Sequence, residues 1–320
     1  MSLAEHVATL GRGPGRSRSL TRDEAEDAMA LMLRQDAAPE AVGALLMLLR
    51  MKGETADEIA GLSAGAQSSL RDMPQVDLDW PSYAAGRSRG LPWFLLSARL
   101  VANAGYRVFL HGWNGRDQKV RDGLAAAGIP VSTSTADAAE ALDRWGVSYM
   151  PLETLHPTLF GLLDLRRVLG LRSCINTIAR MLNPGMAAAG VQGVFHPSYR
   201  LKQAEAAQML GWTSLTVIKG GGGEFERHPG KAVSAYGLRR GALVETVMAP
   251  VAPEAVRLAD GPAPDATLKT VWTGVQDDAF ATAIILGTAA LALDTLGADK
   301  PNRLAAQLWD TRLSTSRSAA

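Results

Sequence analysis

The chain has 320 residues, of which 47% are apolar and 20% are charged, and its formal net charge is +1. This composition is typical of a globular protein with one large or two modest domains, and it excludes a disordered chain. A net charge so close to zero excludes a global attraction to nucleic acid, so any such binding needs a local basic patch.

The single cysteine, Cys174, excludes an internal disulfide framework and indicates a reducing compartment. The first twenty residues contain no unbroken apolar core of the kind that a secretory signal has. The most apolar stretch, residues 280–296, is short and rich in Ala, Gly and Thr, which favours a buried helix over a membrane span. We therefore expect a cytoplasmic protein that does not associate with membranes.

Three short amphipathic helices are predicted in the first quarter of the chain. Thr21 and Glu24 have the spacing of a capping box ahead of apolar residues at helical period. Pro39 suits the first turn of a second helix, and Thr55 and Glu58 form another capping box. These helices predict a small helical module that ends near residues 73–74.

Beyond this module, apolar runs alternate with helical segments. Helices are predicted at residues 93–104, 136–145, 198–210, 277–296 and 301–312. Strands are predicted at residues 106–110, 147–152, 191–195 and 215–218, with a β-ribbon within residues 231–250. Strands that alternate with helices indicate a mostly parallel sheet covered on both faces. Residues 250–264 are predicted to be irregular.

One stretch interrupts the alternation, because residues 156–184 read as two consecutive helices with no strand between them. We expect this pair to pack on the N-terminal helices. The predicted helical domain therefore comprises residues 1–75 and is completed by helices at about residues 156–184. Residues 76–155 and 185–320 are the predicted α/β domain.

Several motifs in this framework are specific. They are residues 20–25 (LTRDEA), 51–59 (MKGETADEI), 105–112 (GYRVFLHG), 155–157 (LHP), 164–172 (DLRRVLGLR), Asn176 and 182–184 (LNP). In this order they resemble anthranilate phosphoribosyltransferase and its relatives in glycosyltransferase family three. The resemblance implies the anthranilate/nucleoside phosphoribosyltransferase-like fold, in which a cleft separates a helical domain from an α/β domain. It also implies a homodimer formed through the helical domains.

The chain departs from this family's pattern at the implied substrate site. The family's Gly-Thr-Gly-Gly-Asp loop, which holds phosphoribosyl pyrophosphate, corresponds to residues 83–89 (YAAGRSR), where Arg87 and Arg89 obstruct close backbone approach. The family's Lys-His-Gly turn has a leucine in place of the lysine before His111. Of the family's metal-holding Asp-Glu pair only Glu226 is matched, after a run of four glycines. These losses predict that phosphoribosyl pyrophosphate binding is lost and that no cofactor is bound, with Mg²⁺ expected only in an active transferase.

Two further segments, residues 11–16 (GRGPGR) and 218–229 (IKGGGGEFERHP), resemble a paralogue branch of the family associated with nucleic-acid binding. The resemblance to this branch implies a homodimer that binds nucleic acid, favouring single strands, in a basic interdomain cleft. The alternative is an active phosphoribosyltransferase, such as the anthranilate phosphoribosyltransferase of tryptophan biosynthesis. The preserved helical pair, Arg166 and His111 support this alternative.

Basic and aromatic residues supply the candidate contacts. Arginines and lysines between residues 87 and 121 could line the cleft and follow a phosphate backbone, or could be solvated charges on helix surfaces. Trp80, Tyr83, Trp93 and Trp113 could stack on bases or could pack in a core, with Trp113 the best candidate for exposure. The predicted nucleic-acid or phosphate contacts are Arg87, Arg89, His111, Trp113, Arg116, Lys119, Arg121, Arg166, Lys202, Lys219, Arg227 and Lys231.

The glycine run and the histidines leave the catalytic question open. Residues 219–223 could form a backbone nest for an anion, flanked by Lys219, Arg227 and Lys231, or could be a connection without a ligand. His111 and His156 have no partner carboxylate or nucleophile at a recognisable spacing. We therefore predict no catalytic residue and no metal ligand.

Overall fold

The N-terminal helices begin where the sequence predicts that they begin. In the computed structural model, which describes residues 2–34, 36–84, 90–115, 117–251 and 267–314, the Thr21 hydroxyl accepts a hydrogen bond from the backbone N–H of Glu24. The Thr55 hydroxyl accepts one from Glu58 in the same way. Pro39 occupies the first turn of the helix between them. The three predicted helices are thereby confirmed.

The prediction was one helix short, however, because a further helix precedes these three. It begins after Ser2, whose backbone N–H donates to the carboxylate of Glu5 at 2.9 Å. Buried His6 fixes this helix to the next one, since its Nε2 lies 2.7 Å from the Asp27 carboxylate. The four helices are α1 (Leu3–Gly11), α2 (Arg22–Met32), α3 (Pro39–Lys52) and α4 (Ala56–Gln67).

A seven-stranded sheet forms the centre of the α/β domain, with strand order β3-β2-β1-β4-β5-β6-β7. The first five strands in this order are parallel, and the last two are added antiparallel. This arrangement confirms the mostly parallel sheet and the terminal ribbon. The strands are β1 (Leu78–Ser82), β2 (Val108–Gly112), β3 (Val147–Pro151), β4 (Ala189–Val194), β5 (Ser214–Lys219), β6 (Val233–Arg239) and β7 (Ala242–Met248).

Strand β1 is central and was not predicted. Its five residues include Asp79, Pro81 and Ser82, which are not typical of an interior strand. All five residues are nevertheless buried. Asp79 and Ser82 are tolerated because each hydrogen-bonds to a side chain from another part of the chain, which no local pattern reveals.

The remaining helices connect the strands and cover the sheet. They are α5 (Phe94–Asn103), α6 (Lys119–Ala127), α7 (Thr135–Trp145), α8 (Leu152–Leu155), α9 (Pro157–Asp164), α10 (Arg166–Leu169), α11 (Ile175–Arg180), α12 (Tyr199–Met209), α13 (Leu268–Thr273), α14 (Ala279–Thr295) and α15 (Pro301–Thr311). Helices α8 to α11 lie between β3 and β4, where the sequence indicates a helical insertion. Most of residues 250–264 lie outside the described residues.

Two cores hold these elements together, one on each side of the sheet. The first contains apolar side chains of α1–α4 and α9–α11 together with one face of the sheet. The second packs α5, α14 and α15 on the other face. Helix α14 is the most apolar one and is largely buried, as predicted for residues 280–296. Within the described part of the chain, none of the helices has the length and apolar character needed to cross a membrane.

Candidate functional site

A cavity of about 190 Å³ lies between the helical domain and the carboxyl ends of the parallel strands. Ala84 follows β1, and Phe195 and His196 follow β4, so the ends of two neighbouring strands supply one wall. Helices α3, α11 and α12 supply the other walls. Ligands of open parallel sheets bind at this edge, which makes the cavity the first candidate for a functional site. We call it the interdomain cleft.

Arg180 of α11 is the most deeply buried cation in this cleft, with 7% of its surface exposed. Its Nε donates to the carbonyl of Gly193 at 3.0 Å, and its Nη1 donates to the carbonyl of Asn176 at 2.9 Å. Burial lowers the pKa of Arg180 to about 10, and the negative charge of Glu224 opposes this shift. Arg180 therefore stays protonated at neutral pH and is held in a fixed orientation.

Two further arginines line the same cleft. Arg50 of α3 donates to the backbone carbonyl of Arg172, which brings the two side chains to one wall. The pKa of Arg172 is lowered by burial and then by the positive charges of Arg166 and Arg50. Three guanidinium groups thus line one cleft, and the charge of a fourth, Arg166, acts on Arg172. None of the described residues that line the cleft is acidic. Such a site attracts an anion, and guanidinium groups suit carboxylate and phosphate oxygens.

The two glutamates that follow the glycine run, Glu224 and Glu226, do not line this cleft. Glu224 is buried, and its Oε1 accepts from the Ser82 hydroxyl, the Ala84 backbone N–H and the Asn114 amide, each at 3.0 Å. Glu226 is also buried, and its Oε2 accepts from the backbone N–H of Phe94 at the start of α5. Glu224 thus binds the backbone that follows β1, and Glu226 binds the first residue of α5.

These residues therefore do not fit a Mg²⁺ ion. Magnesium prefers six oxygen ligands and usually keeps several waters. In Glu224, Oε1 already accepts three hydrogen bonds and Oε2 is buried away from solvent, so neither oxygen lies where a hydrated ion could reach it. The described residues also contain no cluster of three His, Cys, Asp or Glu side chains that could hold a metal ion. We derive no chemical step through a protein-bound metal.

The glycine run is explained by close packing. A Cβ atom on Gly220 would lie 1.6 Å from the carbonyl oxygen of Glu224, and one on Gly193 would lie 2.0 Å from the Glu224 carbonyl carbon. Only glycine lets the turn after β5 approach β4 this closely. Of the run, Gly222 lines the cleft. The observed role of the run is thus to place Glu224 beneath the β1 end, and an anion nest is not needed to explain it.

His111 is fully buried at the carboxyl end of β2, in contrast to the predicted phosphate contact. Its Nδ1 lies 2.8 Å from the Tyr83 hydroxyl, and its Nε2 lies 3.1 Å from Asp79 Oδ1. Burial raises the pKa of Asp79 above its ordinary value, while His111 opposes that rise. Both ring nitrogens are occupied, so His111 fixes β1 to β2 and orients Tyr83, which leads into the loop after β1.

The other predicted contacts are dispersed over the molecule. Arg121 forms an ion pair with Glu153, and Lys202 donates to the carbonyl of Glu54. Arg227 is buried, donates to the carbonyl of Ala249 and does not line the cleft. Arg166 is exposed at the start of α10, and the remaining lysines lie at the surface or near it: Lys119, Lys219 and Lys231. Arg87, Arg89 and Arg116 lie outside the described residues.

The aromatic residues are placed mainly in cores. Trp80, Tyr83 and Trp93 are buried, which corrects their possible assignment to a stacking surface. Trp113 is partly buried and meets Phe160 edge-on, with ring centroids 5.9 Å apart. The exposed aromatic ring at the cleft is instead Phe195, which is 61% exposed.

Sequence reasoning missed the three arginines that line the cleft. Arg172 lies within residues 164–172, which predict the family fold by resemblance but do not single out Arg172. Arg180 had a local signal, because it is the only charged residue of its helix and lies four positions after Asn176, on the same helix face. Arg50 had no such signal, since charged residues are common in the last turn of a helix.

Comparison with known proteins agrees with this architecture. Residues 5–69 match the helical bundle domain of a glycosyl transferase family, and residues 94–307 match the α/β domain of the same family. An anthranilate phosphoribosyltransferase from Azorhizobium caulinodans is 28% identical over 286 residues, which cover 86% of this chain and 83% of that protein. The enzyme of this name from Hyphomonas neptunium is 33% identical over 202 residues, covering 61% of this chain and 58% of that protein. The match to the one from Aeromonas salmonicida, at 28% identity, covers 68% of this chain and 65% of that protein.

Solved structures show the same fold over nearly the whole chain. Anthranilate phosphoribosyltransferase from Thermus thermophilus superimposes with a TM-score of 0.82 at 20% identity, covering 99% of this chain and 96% of that one. The enzyme from Saccharomyces cerevisiae, in complex with phosphoribosyl pyrophosphate and Mg, superimposes with a TM-score of 0.78 at 16% identity. The match covers 98% of this chain and 94% of that one. The matched domains, their order and the cleft between them lead to one conclusion: the chain belongs to the glycosyl transferase family that joins a helical bundle domain to an α/β domain.

Proposed function

We propose that this chain is a phosphoribosyl-transferring enzyme that binds its phosphorylated sugar and an aromatic acid in the interdomain cleft. The observation that carries the proposal is the convergence of Arg50, Arg172 and Arg180 on a cleft whose described lining contains no acid. The relatives that share both domains are named anthranilate phosphoribosyltransferase, so anthranilate is the first acceptor to test. Phosphoribosyl pyrophosphate is the first donor to test.

The arginines would act on the charge of the leaving group. In the transfer, the bond between the sugar C1 and the pyrophosphate oxygen breaks, the acceptor nitrogen bonds to C1, and the amine releases a proton. Pyrophosphate departs with the electron pair of the broken bond. Guanidinium groups that are already oriented stabilise this developing negative charge without reorganisation. Arg180 is suited to that role because its hydrogen bonds to Gly193 and Asn176 fix it.

A turnover assay tests the proposal directly. The protein is incubated with phosphoribosyl pyrophosphate, anthranilate and Mg²⁺ in solution, and consumption of anthranilate is followed by its fluorescence. Arg50→Met with Arg172→Met removes two cleft cations while keeping an unbranched side chain, and exposed Arg303→Met on α15 is the matched control. We expect turnover that the double variant lowers at least tenfold and the control leaves unchanged. Absence of product at high enzyme concentration rejects anthranilate as the acceptor, and unaltered turnover in the double variant rejects the arginine assignment.

A second candidate function, binding of single-stranded nucleic acid in the same cleft, is favoured by a different observation. Glu224 and Glu226 are bound within the fold, so the cleft offers arginines and the exposed ring of Phe195 without a carboxylate pair for a metal. Arginines follow phosphates, and an exposed ring stacks on bases. Fluorescence anisotropy of a labelled oligonucleotide, measured at low and moderate salt, tests this candidate.

The two assays separate the candidates. Turnover without tight oligonucleotide binding supports the transferase. Steeply salt-dependent oligonucleotide binding without turnover supports the nucleic-acid function, and Phe195→Ala should then weaken binding by about 1–3 kcal/mol. If neither is observed, nucleic-acid binding and anthranilate as the acceptor are both rejected.

We also propose that the chain forms a homodimer through its helical domain. Met51 at the end of α3 and Val168 in α10 are 80% and 82% exposed, which is unusual for large apolar residues. The bond from Arg50 to Arg172 brings these two helix regions together. Light scattering with size-exclusion chromatography should give twice the chain mass, and Val168→Asp should shift the protein towards the monomer.

A further inference from the structure

A second cavity, of about 560 Å³, lies on the α/β domain along the outer flank of edge strand β3. Its walls come from α5, α6, the turn at residues 128–131 and the end of α7. It contains no residue of the interdomain cleft. This volume lies in the range of small-molecule sites. We call it the β3 pocket.

Most of the lining of the β3 pocket is apolar. Buried Leu124, Ile129 and Val147 form its inner part. Val131 and Trp145 lie at its rim, where they are 52% and 37% exposed. A chain or ring of carbon atoms that enters the pocket would therefore pack on the apolar inner residues and cover the exposed apolar surface of Val131 and Trp145.

Two polar side chains in the pocket have donors without a sufficient set of protein acceptors. Arg99 and Asn103 are four residues apart on α5, so they project from the same face of the helix. The Asn103 amide nitrogen is buried without a hydrogen-bond partner among the described residues. Buried donors in this state are uncommon in folded proteins and are generally satisfied by water or a ligand.

Arg99 adds a positive charge that the protein does not neutralise. Its Nη1 donates to the carbonyl of Ala127 at 3.0 Å, and its guanidinium lies 4.2 Å from the ring centroid of Trp272. Within the part of the chain that the structure describes, no carboxylate forms an ion pair with it. Burial lowers the pKa of Arg99 below its ordinary value, with no contribution from an acidic neighbour. Arg121, the other cation of the pocket, is already paired with Glu153.

We propose that the β3 pocket binds a small amphipathic anion, whose apolar body occupies the walls and whose single acidic group is bound by Arg99 and Asn103. The guanidinium charge, with no carboxylate paired to it among the described residues, calls for an anion, and Arg99 has donors beyond the one that binds the Ala127 carbonyl. The apolar walls exclude a highly charged ligand such as a nucleotide, because its remaining charges would be desolvated without partners.

Fluorescence titration with 1-anilinonaphthalene-8-sulfonate tests the proposal, since this probe combines an aromatic body with one sulfonate. We expect saturable binding of one probe molecule per chain. Decanoate should displace it at concentrations at least tenfold lower than decanol, which has the same apolar chain and no charge. Equal competition by the two compounds would mean that the anion is not recognised and would overturn the proposal.

Substitutions in the β3 pocket test whether the probe binds there. Asn103→Leu removes a buried unpaired donor and should fold normally, while weakening probe binding at least tenfold. Arg99→Met should weaken it further, with circular dichroism as the check on folding. Ala125→Trp places a bulky ring in the lining, and Ala136→Trp is the matched control on an exposed position of α7 outside the pocket. We expect the first to block binding and the second to leave it unchanged.

The interdomain cleft is the competing site for an anionic probe. The Arg50→Met and Arg172→Met double variant weakens any binding in the cleft and should therefore keep the probe binding that Asn103→Leu weakens. If this variant abolishes binding and Asn103→Leu does not, the probe occupies the cleft and the β3 pocket is not an anion site. This result is independent of whether the chain transfers phosphoribosyl groups.

Discussion

The structural role of Glu224 gives the sharpest prediction about the candidate site. Its carboxylate oxygen Oε1 accepts from the Ser82 hydroxyl, the Ala84 backbone N–H and the Asn114 amide, and its side chain is buried. Glu224→Ala would leave these three donors without that acceptor in a place that bulk water does not reach. We expect the variant to be strongly destabilised, irrespective of any metal ion.

The magnitude follows from the number of donors. A buried donor that loses its acceptor costs about 1–3 kcal/mol, and bonds to a charged acceptor lie at the upper end. Because three donors share one oxygen and the end of β1 can relax, we expect a loss of about 3–5 kcal/mol in the free energy of unfolding. Glu224→Gln keeps an acceptor oxygen but loses the charge, so its loss should be about 1–2 kcal/mol.

Urea unfolding followed by far-UV circular dichroism measures these differences. Exposed Glu140→Ala on α7 is the matched control and should change the free energy by less than about 0.5 kcal/mol. The structural role of Glu224 is refuted if Glu224→Ala unfolds at the same urea concentration as the natural sequence. It is also refuted if millimolar Mg²⁺ stabilises the natural sequence and loses that effect in Glu224→Gln, because Glu224 would then be a metal ligand.

Three further predictions concern the supporting structure. Tyr83→Phe leaves Nδ1 of buried His111 without its partner and should cost about 1–3 kcal/mol in urea unfolding, whereas Tyr106→Phe should be neutral. Gly220→Ala places a Cβ atom 1.6 Å from a backbone oxygen and should lower the melting temperature, whereas Gly161→Ala meets no atom within 4 Å and should not lower it. The Arg18 guanidinium lowers the pKa of Glu24 from 4.5 to about 2, so the stability from this pair is complete above about pH 4.5 and is lost as the pH falls towards 2. Thermal melts at pH 5 and pH 3 should show a smaller acid-induced decrease in Glu24→Gln.

Local signals in the sequence predict much of the fold. The capping boxes at Thr21 and Thr55 act within one turn of a helix, so their spacing alone identifies the helix starts. The apolar runs of β3, β4 and β5 are buried on both faces, and their composition makes them visible. Strand β1 was missed because its polar residues are satisfied by groups distant in sequence. The Ser82 hydroxyl, for example, donates to Glu224, 142 residues further along the chain.

The site was less predictable because burial decides which polar residues can reach a ligand. His111, Arg227 and Arg180 are all polar residues in or beside motifs, yet the first two are committed to partners within the fold. Arg180 is nearly as buried and also donates to backbone carbonyls, but it lines the cleft. No spacing rule separates these outcomes, since the distinction depends on how α11, β2 and the turn after β5 pack together.

The positions of the buried glutamates explain why the interdomain cleft is lined by arginines without an acidic residue. Glu224 and Glu226, the nearest carboxylates in the motif that ends β5, each bind backbone N–H groups at the starts of other segments. Because these negative charges are bound within the fold, none of the described residues that line the cleft beside Arg50, Arg172 and Arg180 is acidic. A ligand that binds there must bring its own negative charge, and salt must weaken its binding. This requirement holds for a sugar pyrophosphate and for a nucleic-acid strand alike, so the number of phosphates and the presence of an acceptor acid, rather than the cleft's charge, distinguish the two functions.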